Sequence, residues 1–193
     1  MPALFDGDDV HIPSPSPFLD TELIWQPLSR VRPPSPLRSW LVERGSLTRR
    51  LQGLGRFRVE PLYQQVARPT AVEAMLLGLP SRRVALIREV LLLVDDQPVV
   101  FARSVLPLRS ISGANRVLGH LARRSLGAEL FRLPRATRRA VWAAPVPPSR
   151  MPQAVVGPLT GPCWGRQSLF IKRGKPLLVA EVFLPGLPGQ ASV

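Results

Sequence analysis

The chain of 193 residues has one cysteine, one tyrosine and only two lysines, Lys172 and Lys175. A lone Cys163 excludes an intrachain disulfide and suits a reducing compartment. No uninterrupted apolar stretch approaches the length that crosses a bilayer, and "VALIREVLLLV" at 84–94 is broken by Arg88 and Glu89. The N-terminus has acids and prolines where a secretion signal has a basic region and an apolar run. A cytoplasmic protein with no membrane span is therefore expected. Acids are scarce as well, 13 against 26 Lys and Arg, for a net charge of +13. The first 29 residues hold five of those acids and no Lys or Arg, so the positive field of the rest is stronger still. Such a field attracts anions, whether nucleic acid, phospholipid or a small polycarboxylate, and does not choose among them.

What is present supports a packed interior. Hydrophobic residues make up 45% of the chain, enough for one domain. Eight prolines precede residue 37, alongside Asp6, Asp8, Asp9, Asp20 and Glu22. That composition predicts a mobile leader over 1–36, a single domain over 37–186 and a short tail over 187–193.

Two β-rich runs around Asp95-Asp96-Gln97-Pro98 predict a hairpin over 84–107, and a second hairpin over 165–185 turns at Arg173-Gly174. Residues 56–68 read as extended chain with a bulge at Pro61. "PSPLRSWLVERGSLTRRLQ" (34–52) predicts two short helices, the second capped by Ser46. Residues 112–131 read as helix with Val117, Leu118, Leu121, Leu126 and Leu130 on its buried side, and 143–162 as an irregular loop. Hairpins with helices between them give an α+β fold, an antiparallel sheet covered on at least one face. The strands at 84–94 and 176–184 are apolar on both faces and are expected to be central.

Two residues break that apolar pattern. Glu181 shares a strand face with Leu177, Val179 and Phe183, and Arg88 shares one with Val84, Leu86, Val90 and Leu92. A buried charge is costly unless paired or hydrogen-bonded. The two could form a structural salt bridge with each other, or they could line a closed polar cavity. In a cavity Arg88 would present its planar fork to a ligand carboxylate, and Glu181 would meet a hydroxyl or take part in proton transfer. "GSLTRR" (45–50) and "RSLGAE" (124–129) each place a Leu after a capping Ser, which leaves the amides of Leu47 and Leu126 in a first helical turn. Ordinary capping explains both. His120 has no metal-ligand neighbour at useful spacing, His11 lies in the leader, and Cys163 has no nearby histidine, so neither a metal site nor a thiol nucleophile is expected. The arginines at 123, 124, 132, 135, 138 and 139 form a basic stripe that reads as a solvated face rather than a nucleic-acid site.

"SWLVERGSLTRRL" (39–51), "LIREVLLLVDDQPVVFARSVLP" (86–107), "LGHLARRSLGAELF" (118–131) and "WGRQSLFIKRGKPLLVAEVFLP" (164–185) resemble, in this order, the motifs of the chorismate lyase family. The resemblance implies an antiparallel sheet with helices on one face, closed over a buried ligand by helical flaps. It implies conversion of chorismate to 4-hydroxybenzoate and pyruvate, the first step of ubiquinone synthesis, with no cofactor. By the same resemblance Arg88 and the backbone amides of Leu47 and Leu126 hold the ligand carboxylate, and Glu181 meets the ring hydroxyl. Leu47 stands where the best-known member has methionine. Arg166 is the candidate for the second carboxylate of the substrate. A monomer whose partners are chorismate and 4-hydroxybenzoate is expected. Two alternatives stay open: an effector-sensing domain of the same fold that binds without reacting, and an arginine-rich nucleic-acid binder.

Overall fold

The computed structural model describes residues 23–80, 82–152, 155 and 162–187. Most of the expected leader, 1–22, and the end of the tail, 188–193, lie outside the described residues, as do 153–154 and 156–161 of the expected loop. Among the described residues seven strands form one antiparallel sheet: β1 (Gln26–Pro27), β2 (Phe57–Ala67), β3 (Ala85–Val94), β4 (Gln97–Pro107), β5 (Thr137–Val146), β6 (Cys163–Lys172) and β7 (Lys175–Phe183). Their order across the sheet is β1-β5-β6-β7-β4-β3-β2. The short helices are α1 (Ser35–Leu41), α2 (Leu47–Gln52), α3 (Ala71–Leu76) and α4 (Leu126–Leu130). None is long and apolar enough to cross a membrane.

Both hairpins turn where the sequence places them. Val94 pairs with Gln97 and Lys172 with Lys175, which leaves two-residue loops. Asp95, Asp96, Arg173 and Gly174 all have positive φ, from 48° to 74°, the backbone that matches the twist of the flanking strands. β2 bulges between Pro61 and Tyr63. Its Pro61, with the exposed ion pair Arg58–Glu60, suits an edge strand that must not recruit another chain.

Alternation along β7 divides the core. Leu177 and Val179 join a near-face cluster with Leu86, Leu118, Leu121, Leu126, Leu130 and Phe170. Phe183 joins a second near-face cluster with Trp40, Leu41, Leu47, Leu51, Val90 and Leu92. The far face is covered by the α3 region (Leu76, Leu77 and Leu79) and by Met151 and Val155. There Arg103, buried, is bound by Glu73 of α3 and by Glu89, at 2.6–3.0 Å, and so ties that helix to the sheet.

Four expectations change. Residues 112–131 are not one helix: a 3-10 stretch over Gly113–Gly119 is followed by a break at Ala122 (φ 48°), and α4 has five residues. The leucines predicted to be buried there are buried nonetheless, because each turn follows the sheet surface rather than one helix axis. Residues 137–146 form β5, which charge at one end and prolines at the other obscure in the sequence. β7 is central, whereas β3 is next to the edge and gains its two buried faces from helices on one side and the α3 region on the other. Within the expected leader, β1 pairs with β5, and Leu28 and Val31 lie against the near-face core.

Candidate functional site

Between the two near-face clusters lies a small cavity. Its floor is Arg88, Val90, Ala102, Ser104, Val179 and Glu181 from β3, β4 and β7, and its roof is Leu47 and Thr48 of α2 with Leu126, Gly127 and Leu130 of α4. Arg88 pairs across the sheet with Ser104, and Ser104 with Val179, two residues before Glu181. Arg88 and Glu181 are thus two interstrand spacings across and two residues along the sheet from each other, roughly 12 Å between backbones, at opposite sides of one floor.

Each charged side chain is held from outside the cavity. Arg88 is 1% exposed, and its Nη2 donates to the carbonyls of Ala122 (2.9 Å) and Arg124 (3.1 Å). Ala122's positive φ belongs to the turn that brings both oxygens to the same guanidinium. Among the described residues Nε of Arg88 has no acceptor though it is buried, and burial pulls the guanidinium down to a pKa of about 10. Glu181 receives Nε (2.9 Å) and Nη2 (2.6 Å) of Arg166, both on Oε2. Arg166, 0% exposed, also donates Nη1 to the carbonyls of Trp40, Leu41 and Glu43, which anchors the end of α1. No Arg88–Glu181 salt bridge exists among the described residues; the ion-pair partner of Glu181 is Arg166.

The roof is made by two matching helix starts. Ser46 and Ser125 cap α2 and α4, accepting from the amides of Arg49 and Ala128. Leu47 and Leu126 are then first-turn residues whose amides the helix leaves without an acceptor. The two helices meet where Thr48 Oγ1 lies 2.5 Å from Ser125 Oγ. Gly127 makes that approach possible, since a Cβ there would sit 2.6 Å from Thr48 Oγ1. At the β5 side Arg138 lines the cavity, stacked over Phe170 at 4.9 Å and donating Nη1 to Glu43 O at 2.6 Å.

The family profile described as chorismate lyase matches residues 19–193. The chain belongs to the chorismate lyase family. It is 52% identical over 169 residues to a probable chorismate pyruvate-lyase of Alcanivorax borkumensis, covering 88% of this chain and 79% of that one. It is 45% identical to one of Methylococcus capsulatus, covering 78% and 96%. Among solved structures, the effector domain of PhnF from Mycobacterium smegmatis matches with a TM-score of 0.54 at 17% identity, covering 75% of this chain and 91% of that one. The ligand-binding domain of a putative GntR-family regulator from Bordetella bronchiseptica matches at 0.51 and 20%, covering 68% and 85%. Those two likenesses concern the fold.

Within this chorismate lyase fold Arg88, Glu181, Leu47 and Leu126 come together around one cavity. Arg166 is not among the residues that line it: Glu181 and the carbonyls that end α1 take up its donors, so it supports the site from beside the floor, on β6 under α1. Sequence reasoning placed Arg138 in a solvated stripe, but the structure turns it inward. A bulge between Arg138 and Ala140 accompanies that turn, and nothing in a run of arginines announces it. His120 is exposed, with Nδ1 3.1 Å from the carbonyl of Arg116, and takes no part in the cavity.

Proposed function

We propose that the protein is a chorismate pyruvate-lyase, converting chorismate to 4-hydroxybenzoate and pyruvate. The observation that carries this reading is that an arginine and a glutamate, far apart in sequence, face one cavity without neutralising each other. Among the described residues Arg88 is a cation with no carboxylate partner, suited to the ring carboxylate, and the first-turn amides of Leu47 and Leu126 would add two donors. Glu181 has one oxygen engaged by Arg166, and Oε1 is the atom left to accept the ring hydroxyl.

Chorismate carries its hydroxyl para to the ring carboxylate, which suits two binding groups on opposite sides of a cavity floor. The reaction breaks the bond between the ring and the ether oxygen and removes the hydrogen from the neighbouring carbon, which bears the hydroxyl. The ring becomes aromatic, and the departing enol gains a proton to become pyruvate. A carboxylate that holds the hydroxyl also sets the direction of that hydrogen relative to the leaving ether. Aromatisation supplies the driving force, so the protein contributes position and fixed charge in a site shielded from water.

The test is direct. Chorismate is mixed with the protein, and formation of 4-hydroxybenzoate is followed by its absorbance. Glu181→Gln and Arg88→Ala are each expected to lose at least about a hundredfold in kcat/KM while keeping the wild-type circular dichroism spectrum. A wild-type protein that binds 4-hydroxybenzoate tightly yet leaves chorismate unchanged would favour an effector-sensing role and end the lyase reading.

A further inference from the structure

Charge balance in the cavity leads beyond the ring carboxylate. Three ionised side chains line it: Arg88, Arg138 and Glu181. Arg166, beside the floor on β6, already neutralises Glu181 at 2.6 Å. Among the described residues, no carboxylate lies within ion-pair distance of Arg88 or Arg138. The cavity therefore presents two guanidinium groups without a direct carboxylate contact, one on β3 and one on β5, with Glu181 of β7 between them and Glu181 and Glu43 acting on Arg138 only from a distance.

Arg138 is held as a binding group would be. Phe170 supports one face of its guanidinium, Glu43 O fixes Nη1, and the buried Nε has no acceptor among the described residues. Burial, and Arg166 beside it, pull its pKa down to about 10, so it too stands in an environment that would be relieved by an anion. Glu181 is near enough for its charge to act on Arg138. A ligand that places its hydroxyl at Glu181 would therefore bring the substituent on the next ring carbon toward Arg138. In chorismate that substituent is the enolpyruvyl ether, which ends in the second carboxylate.

We propose that Arg138 binds the second carboxylate of a dianionic substrate, so that the cavity selects a dicarboxylate by matching two cations to two anions. This assignment rests on the lyase reading and replaces Arg166 in that role. Substrate and product then differ at this residue. Chorismate engages both arginines, whereas 4-hydroxybenzoate has one carboxylate and engages Arg88 alone.

The experiment compares Arg138→Met and Arg138→Lys with wild type, measuring kcat/KM for chorismate and Kd for 4-hydroxybenzoate by titration calorimetry. Arg138→Met is expected to lower kcat/KM by at least about thirtyfold, with partial recovery in Arg138→Lys, while Kd for 4-hydroxybenzoate changes less than about threefold. Arg88→Met serves as the contrast and weakens both ligands. Retained 4-hydroxybenzoate binding also shows that the variant pocket is folded. Wild-type turnover in Arg138→Met, or a parallel loss of both ligands in both variants, overturns the assignment. A wild-type protein inert toward chorismate ends the lyase reading instead; the same variants are then compared for chorismate binding, and equal loss of chorismate and 4-hydroxybenzoate ends this assignment too.

Discussion

Arg166 grips a single oxygen of Glu181: Nε lies 2.9 Å and Nη2 2.6 Å from Oε2. One guanidinium thereby holds the central carboxylate of the cavity floor and, through Nη1, the end of α1. Removing one member of a buried pair leaves the other charged and unpartnered, which costs about 3–5 kcal/mol. Arg166→Met is expected to lose stability of that order in a denaturant melt, together with most lyase activity. The double variant Arg166→Met/Glu181→Leu should recover much of the stability and none of the activity. Equal melts for the single and double variants would show that the pair is not coupled.

The depressed pKa of Arg88 gives binding a pH dependence with a definite sign. The free protein holds this guanidinium at about 10, below its ordinary value, because burial penalises the charged form. A carboxylate ligand binds the charged form and raises that pKa. Affinity is therefore flat below pH 10 and falls as pH rises through about 10, approaching tenfold per unit. Benzoate, which has no phenol to titrate, is the suitable probe, and calorimetry between pH 8 and 11 reads the slope. Affinity that stays constant to pH 11 would remove Arg88 from the binding step.

Gly127 is needed for space rather than for backbone freedom. A methyl group there meets Thr48 Oγ1 at 2.6 Å and Ser125 Oγ at 3.4 Å, at the contact between the two roof helices. Gly127→Ala is expected to spread α2 from α4 and weaken retention of 4-hydroxybenzoate about tenfold, the scale of a modest overpacking cost. Adding Thr48→Ala removes the clashing oxygen and should return the dissociation rate most of the way to wild type. A Gly127→Ala protein that releases product at the wild-type rate would show that the helices accommodate the methyl group.

Cys163 sits in the far-face core, and burial pushes its thiol up to about 11. Thiolate is the reactive form, so at pH 8 the folded protein should react with iodoacetamide about a hundredfold more slowly than the unfolded chain. Labelling followed by mass spectrometry, with and without guanidinium chloride, measures the ratio. Complete labelling of the native protein within minutes would contradict it.

The amino-acid sequence by itself determined the hairpins, their two-residue turns, the paired serine-capped helices and the two charges that interrupt apolar strands. These are local matters: alternation, capping and turn chemistry act over a few residues and can be read in order along the chain. The exposed arginines and the inward Arg138 look alike in that reading, because which face of β5 meets the cavity depends on a bulge and on neighbours far away in the chain. Likewise only the tertiary structure separated Arg88 from Glu181. The hairpin register already sets Arg166 opposite Glu181, but β4 had to be laid between β3 and β7 before Arg88 was placed out of reach of that carboxylate, with no acid among the described residues to answer its charge. Charge balance in a closed space is a sum over everything that encloses it, and a linear sequence does not say what encloses what.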